Sequence, residues 1–156
     1  MLRKIEKTKE QWSGKHQALD SFLNARQSLL VDYIHLSDKH KTLPSQEELQ
    51  EFCGQLVDYV SAGHFEIYDY VLAAYEAAQG DARLMAERIY PSIKENTEEA
   101  LYFHDKYAEA ADEETLLELD QDLNRLGEVL EERFELEDKM VSALNLLARL
   151  DNQQPA

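Results

Sequence analysis

Apolar residues return along this chain at steps of three and four, the period of helices that bury one side. The longest such run starts near Gln46 and holds Leu49, Phe52, Leu56, Val60, Gly63, Ile67 and Val71, with Ala78 seven residues further on. At about 100° per residue these positions form a single stripe. Ser45 and Glu48 have the spacing of a capping box and start the helix, and Gln79-Gly80 ends it, glycine being a common terminator. Upstream, residues 2–12 pattern as a short amphipathic helix that closes at Trp12-Ser13-Gly14. A second helix follows from about Lys15 to Asp38, with Leu19, Phe22, Leu23, Leu30, Tyr33 and Ile34 on its apolar side and Arg26 inside that stripe. Residues 37–45, carrying Lys39, His40, Lys41 and Pro44, read as a loop.

Beyond Gly80, Asp81 can cap a helix that Tyr90-Pro91 breaks or kinks, since the residue before proline disfavours α geometry. The pattern resumes to about Glu109 with Ile93, Ala100, Leu101, Phe103 and Tyr107. Asp112 can cap a last helix that reaches about Leu150, lined by Leu116, Leu119, Leu123, Leu126, Leu130, Phe134, Val141 and Leu144. Glu137 lies in that stripe. A buried arginine needs a carboxylate partner, so Arg26 and Glu137 are candidates for a structural ion pair rather than a catalytic one. The chain shows no internal repeat and no strand pattern. These elements predict an all-α fold, an up-and-down helical bundle of four main helices plus a short N-terminal helix. It forms a single domain over residues 1–150 with a frayed tail at 151–156.

The far side of the long helix carries a different signal. Glu51, Asp58, Phe65, Asp69, Leu72 and Glu76 fall within roughly 40° of the pole opposite the stripe. Carboxylates belong on a solvated face, whereas Phe65 and Leu72 do not. Two readings stay open: a docking surface for a basic, apolar partner, or a second face packed on a neighbouring helix. Gly54, Ala62 and Gly63 suggest close helix packing, because a glycine inside a helix costs about 1 kcal/mol relative to alanine.

Charge narrows the choice of partner. The formal net charge is −16, unevenly placed: residues 1–41 hold eight Lys/Arg against five Asp/Glu, and residues 42–156 eight against 27. Direct nucleic-acid binding needs a basic surface and is excluded on this ground, whereas an acidic surface suits a basic protein. The single cysteine, Cys53, sits beside the apolar stripe and reads as a buried, inert thiol of a reducing compartment. No run approaches the roughly 18 apolar residues of a membrane span, and the N-terminus lacks a signal-peptide segment. A cytoplasmic protein with no membrane attachment is expected.

Catalytic and metal chemistry find little to rest on. A di-iron bundle needs paired Glu-x-x-His motifs, and Asp32-Tyr33-Ile34-His35 is the nearest approach. His64, next to the apolar stripe, reads as a packing residue. There is no phosphate-cradling glycine loop and no nucleophile elbow. The expectation is a protein that is not an enzyme and takes no metal or cofactor.

Leu56-Val57-Asp58-Tyr59-Val60-Ser61-Ala62-Gly63-His64-Phe65, followed by Ile67-Tyr68, resembles the signature of the bacterial Rsd/AlgQ family of primary sigma factor regulators. Arg26-Gln27-Ser28-Leu29-Leu30-Val31-Asp32-Tyr33 is similar to the family's arginine-then-Leu-Leu-Val segment, and Arg133-Phe134-Glu135-Leu136-Glu137-Asp138-Lys139 to its Arg-Phe-x-Leu-Glu-Asp-Lys segment. Order and spacing fit over essentially the whole chain, with residues 37–45 the least similar part. The resemblance implies an all-α bundle that binds the primary sigma factor and keeps it from core RNA polymerase and promoter DNA. The target it implies is chiefly the C-terminal region that reads the −35 element through a helix-turn-helix, a basic surface. The family's contact positions fall on Asp58 and Phe65, and the partner-binding set expected here is Asp58, Ser61, Phe65, Asp69 and Leu72. The alternative is a regulatory adaptor or transcriptional activator that works through a different protein partner.

Overall fold

Helix formation in this chain starts from side-chain caps. The Ser45 hydroxyl accepts a hydrogen bond from the Glu48 amide at 3.2 Å, and the Ser45 carbonyl accepts the first helical bond from Leu49 at 3.1 Å. Glu47 and Glu48 place negative charge on the positive end of the helix so begun. In the computed structural model, residues 17–38, 43–62, 68, 81–109 and 111–153 are described. They form helices α1 (Gln17–Leu36), α2 (Gln46–Ala62), α3 (Asp81–Tyr107), α4 (Glu113–Leu116) and α5 (Leu119–Gln153). No strand occurs among the described residues. The short N-terminal helix expected over residues 2–12 lies outside them, as does the expected continuation of α2 to Gln79, apart from Tyr68.

Chain neighbours pack on each other, α1 on α2, α2 on α3 and α3 on α5. The ring contacts set their directions. Phe22 stacks on Tyr59 at 5.1 Å while Tyr33 meets Phe52 at 6.5 Å, so α1 and α2 run antiparallel. Phe52 meets Phe103 edge-on at 6.0 Å. The bundle closes where the Tyr33 hydroxyl donates to the Leu123 carbonyl at 2.8 Å, joining α1 to α5. This is the all-α bundle that the periodicity predicts. Leu23, Leu30, Leu56, Ile93, Phe103, Leu126 and Leu130 are buried at its centre. Burying a side chain of that size contributes roughly 1.5–3 kcal/mol.

Several local expectations change. Proline does not break α3, which is continuous through Pro91. Pro91 cannot donate to the Glu87 carbonyl, but both residues are exposed, so that carbonyl can be hydrated. The last helix does not start at Asp112. Asp112 instead caps the short α4 by accepting from the Thr115 amide at 2.8 Å. The Glu118 amide then bonds the Thr115 carbonyl at 3.0 Å, a tighter turn that separates α4 from α5. α5 in turn continues to Gln153, past the expected end at Leu150. On α1, Leu29 is buried and Ile34 is 49% exposed, the reverse of the expected apolar side. Leu101 is likewise exposed.

The glycines divide by environment. Gly54 is exposed and a methyl group there would meet nothing within 4 Å, so close packing is not its role. Gly127 is the position of close approach: a Cβ there would overlap the Tyr33 hydroxyl that ties α1 to α5. Gly54→Ala is therefore expected to stabilise the protein by about 1 kcal/mol through helix propensity. Gly127→Ala is expected to show no such gain, because displacing Tyr33 costs about 1 kcal/mol of hydrogen bonding. Urea midpoints of the two variants measure the difference.

Candidate partner-binding face and the polar centre behind it

α2 has two faces with different work. Leu49, Phe52, Leu56 and Val60 are buried, while Glu51, Asp58 and Ser61 are exposed on the other side. Asp58 and Ser61, one turn apart, therefore share the outer face. Phe65, Asp69 and Leu72, the remaining members of the expected partner-binding set, lie outside the described residues. Cys53 is buried, and that burial pushes its thiol up to about 11.

Tyr68 is placed, and not where a regular helix puts it. On an unbroken α-helix it would fall more than about 100° from the centre of the buried stripe. It occupies a π-helical turn and is fully buried. There its hydroxyl donates to Glu137 Oε2.

Glu137 is the focus of the interior. It is 1% exposed, and four side chains converge on its carboxylate. Tyr59 donates to Oε1 at 2.5 Å. Arg26 Nη2 lies 3.3 Å from the same oxygen. Tyr68 and Arg133 serve Oε2, the Arg133 Nε at 3.4 Å. Arg26 also bonds Asp138 Oδ1 at 2.6 Å and Tyr59 at 3.3 Å. The Arg133 Nη1 donates to Asn96 at 3.1 Å and Thr97 at 2.9 Å, and Asn96 donates to the Val129 carbonyl at 2.6 Å. Two arginines face two carboxylates, so the centre is neutral when all four ionise.

Aromatic rings complete the enclosure. The Arg26 guanidinium lies 5.0 Å from the Phe134 ring centre and 5.5 Å from that of Phe22, and Arg133 lies 5.5 Å from that of Tyr68. Burial works against the charge of Arg26, but the Tyr59 oxygen, Glu137 and Asp138 outweigh it and raise its pKa. Burial and the Glu137 charge push Tyr59 and Tyr68 well above the ordinary tyrosine range. The two tyrosines and the arginines are thus all held in their protonated forms, and the arrangement is a polar core.

The structure thus brings Arg26 and Glu137 together and adds partners that periodicity did not name. Arg133 stands four residues before Glu137, on the same side of one helix, a spacing that could have flagged it. Tyr59 follows Asp58 directly and leaves no such signal. Among the described residues, no three His, Cys, Asp or Glu side chains are grouped as a metal ion requires. No described helix is long and apolar enough to cross a membrane.

The chain is thus an all-α bundle whose α2 presents Glu51, Asp58 and Ser61 to solvent. Residues 1–145 match the family described as "Regulator of RNA polymerase sigma(70) subunit, Rsd/AlgQ", and the chain belongs to that family. It is similar to the "Regulator of sigma D" of Yersinia enterocolitica, at 36% identity over 147 residues covering 90% of this chain and 88% of that protein. The "Regulator of sigma D" of Pectobacterium carotovorum is 38% identical over 149 residues, covering 90% of this chain and 96% of that one.

Glu137→Ala leaves two buried guanidinium groups without their shared carboxylate and is expected to cost about 3–5 kcal/mol, measured by chemical denaturation. Alkaline pH is expected to destabilise the protein as well. Cys53, Tyr59 and Tyr68 all have folded pKa values raised above those of the unfolded chain. Their contribution is complete below about pH 8.5, where the unfolded thiol begins to ionise, and falls further above about pH 10, where unfolded tyrosines do. A urea midpoint that stays flat from pH 8 to pH 11 contradicts this.

Proposed function

We propose that this protein binds the primary sigma factor of RNA polymerase, chiefly through the sigma region that recognises the −35 element, and keeps it from core polymerase and promoter DNA. The observation that carries the reading is the outward placement of Asp58 and Ser61 on α2, in a chain of the Rsd/AlgQ family. Phe65, Asp69 and Leu72 complete the proposed contact set. A DNA-reading domain is basic because it neutralises phosphates, and it meets here a chain of net charge −16. The mechanism is occlusion by a stoichiometric partner. Phe65 and Leu72 supply apolar anchors, and Asp58 and Asp69 pair with arginines and lysines of the sigma domain. Binding and not catalysis is the proposed activity, and a soluble cytoplasmic protein acting without a cofactor fits it.

The test is binding of purified primary sigma factor, and separately of its C-terminal DNA-binding domain, by titration calorimetry. Wild-type protein is expected to bind both. Phe65→Ala is expected to lose about 2 kcal/mol or more, as a buried aromatic anchor does. Asp58→Ala is expected to weaken the complex chiefly by slowing association and flattening its salt dependence. If wild-type protein binds neither the intact sigma factor nor its C-terminal domain, the proposal is refuted and an adaptor with another protein partner is favoured.

A further inference from the structure

Two tyrosines of this chain reach one carboxylate from places that a single regular helix cannot give them. Tyr59 lies in α2 and donates to Glu137 Oε1 at 2.5 Å, and Tyr68 donates to Oε2. Nine positions apart, they would point to opposite sides of an unbroken α-helix, about 13.5 Å apart along its axis. Yet both are buried, and their hydroxyls meet the two oxygens of the same side chain. Tyr68 stands in a π-helical turn, between the end of α2 at Ala62 and the start of α3 at Asp81. Such turns are rare, occur singly and are frequent at functional sites.

The two bonds do different work. Tyr59 is placed by the hydrogen-bond ladder of α2 and by rings on two sides, Phe22 stacked at 5.1 Å and Phe134 edge-on at 5.9 Å. Tyr68 meets Arg133 through its ring, whose centre lies 5.5 Å from the guanidinium, and Glu137 through its hydroxyl. The ring contact tolerates sliding, whereas a hydrogen bond to a carboxylate oxygen fixes distance and direction. Arg133 is not free to follow a displaced ring, because its Nη1 donates to Asn96 at 3.1 Å and Thr97 at 2.9 Å. Loss of the Tyr68 hydroxyl leaves Glu137 with Tyr59 and both arginines, so the centre keeps its charge balance. What is lost is the tie between that centre and the chain around residue 68.

That part of the chain carries most of the proposed contacts. Phe65 comes three residues before Tyr68, Asp69 directly after it and Leu72 four residues after. The geometry points to Tyr68 as a positioning residue for partner binding: its bond to Glu137 sets where Phe65, Asp69 and Leu72 stand relative to Asp58 and Ser61 of α2. This rests on the proposed function and deepens it. Asp58 neighbours the tyrosine on one oxygen of Glu137, and Asp69 neighbours the tyrosine on the other. One buried carboxylate thus sets the span between two contacts. A contact surface set before binding incurs a smaller ordering cost, so cutting the tie weakens binding without removing a contact.

The experiment is a double-mutant cycle between Tyr68→Phe and Phe65→Ala, read as binding of the C-terminal sigma domain, with a melting curve for every variant. Tyr107→Phe is the control: it too takes a buried tyrosine's hydroxyl from a carboxylate, Asp122 at 2.6 Å, on the α3–α5 side. Tyr68→Phe is expected to fold and to bind at least five-fold more weakly, and Tyr107→Phe to bind within two-fold of wild type. In the Phe65→Ala background the Tyr68 change is expected to weaken binding two-fold or less, because the anchor it positions is gone. A purely structural hydroxyl gives the same factor in both backgrounds, and that result overturns the inference. So do equal weakening by Tyr107→Phe, a Tyr68→Phe protein that fails to fold, or one that binds within two-fold of wild type while Phe65→Ala is weakened; the proposed function then stands. If wild-type protein binds neither the domain nor intact sigma factor, this inference and the proposed function fall together.

Discussion

A carboxylate in an apolar interior has to be met by donors, and the bundle is arranged around meeting one. Glu137 accepts hydrogen bonds from Arg26 of α1, Tyr59 of α2 and Tyr68 beyond α2, and is ion-paired with Arg133 of its own helix. Removing any single donor leaves the others with an imperfect partner, which is why such a centre is costly to disturb although its net contribution to stability is modest. Apolar side chains could fill the same volume with less desolvation. What the polar centre adds is register. Leucine stripes tolerate a helix sliding by a turn, whereas the bonds of Arg26 to Glu137 and Asp138 hold α1 against α5 at one level. The Tyr33 bond to the Leu123 carbonyl, passing over Gly127, holds the same pair some turns away.

α2 is the element through which this interior meets the outside. Tyr59 points inward to Glu137, and its neighbour Asp58 points to solvent. A rigid inner face gives the outer one a fixed geometry, and fixed geometry lowers the ordering cost that a binding surface otherwise incurs. The acidic field on α1 and α2 contrasts with the cross-paired charges of α3 and α5. Clustered like charge is unfavourable in the isolated protein and becomes favourable opposite a basic surface. In the proposed reading, the two sides of the molecule thus divide between holding the fold and meeting a partner.

The helices were legible because burial of one face imposes a period of 3.6 residues, and Leu49, Phe52, Leu56 and Val60 keep it without exception. The Ser45 cap was equally plain, since its bond to Glu48 spans three residues. Arg26 and Glu137 could be matched from pattern because a buried charge must find its opposite, and few candidates lay in a stripe. Local rules failed where a neighbour decided. Pro91 is accommodated on an exposed helix face, and Ile34 and Leu29 exchange places according to where α2 and α5 contact α1.

By itself, then, the amino-acid order determined the helical class, the start of α2 at its Ser45 cap, the acidic composition and membership of a family. All of these are written in neighbouring residues or in composition. Only the tertiary structure decided which hydroxyls complete the Glu137 centre, which glycine admits a neighbouring helix, and that Asp32 of α1 lines one groove with Glu48 and Glu51 of α2. Those facts depend on distances between residues tens of positions apart, and a one-dimensional pattern carries no such distances.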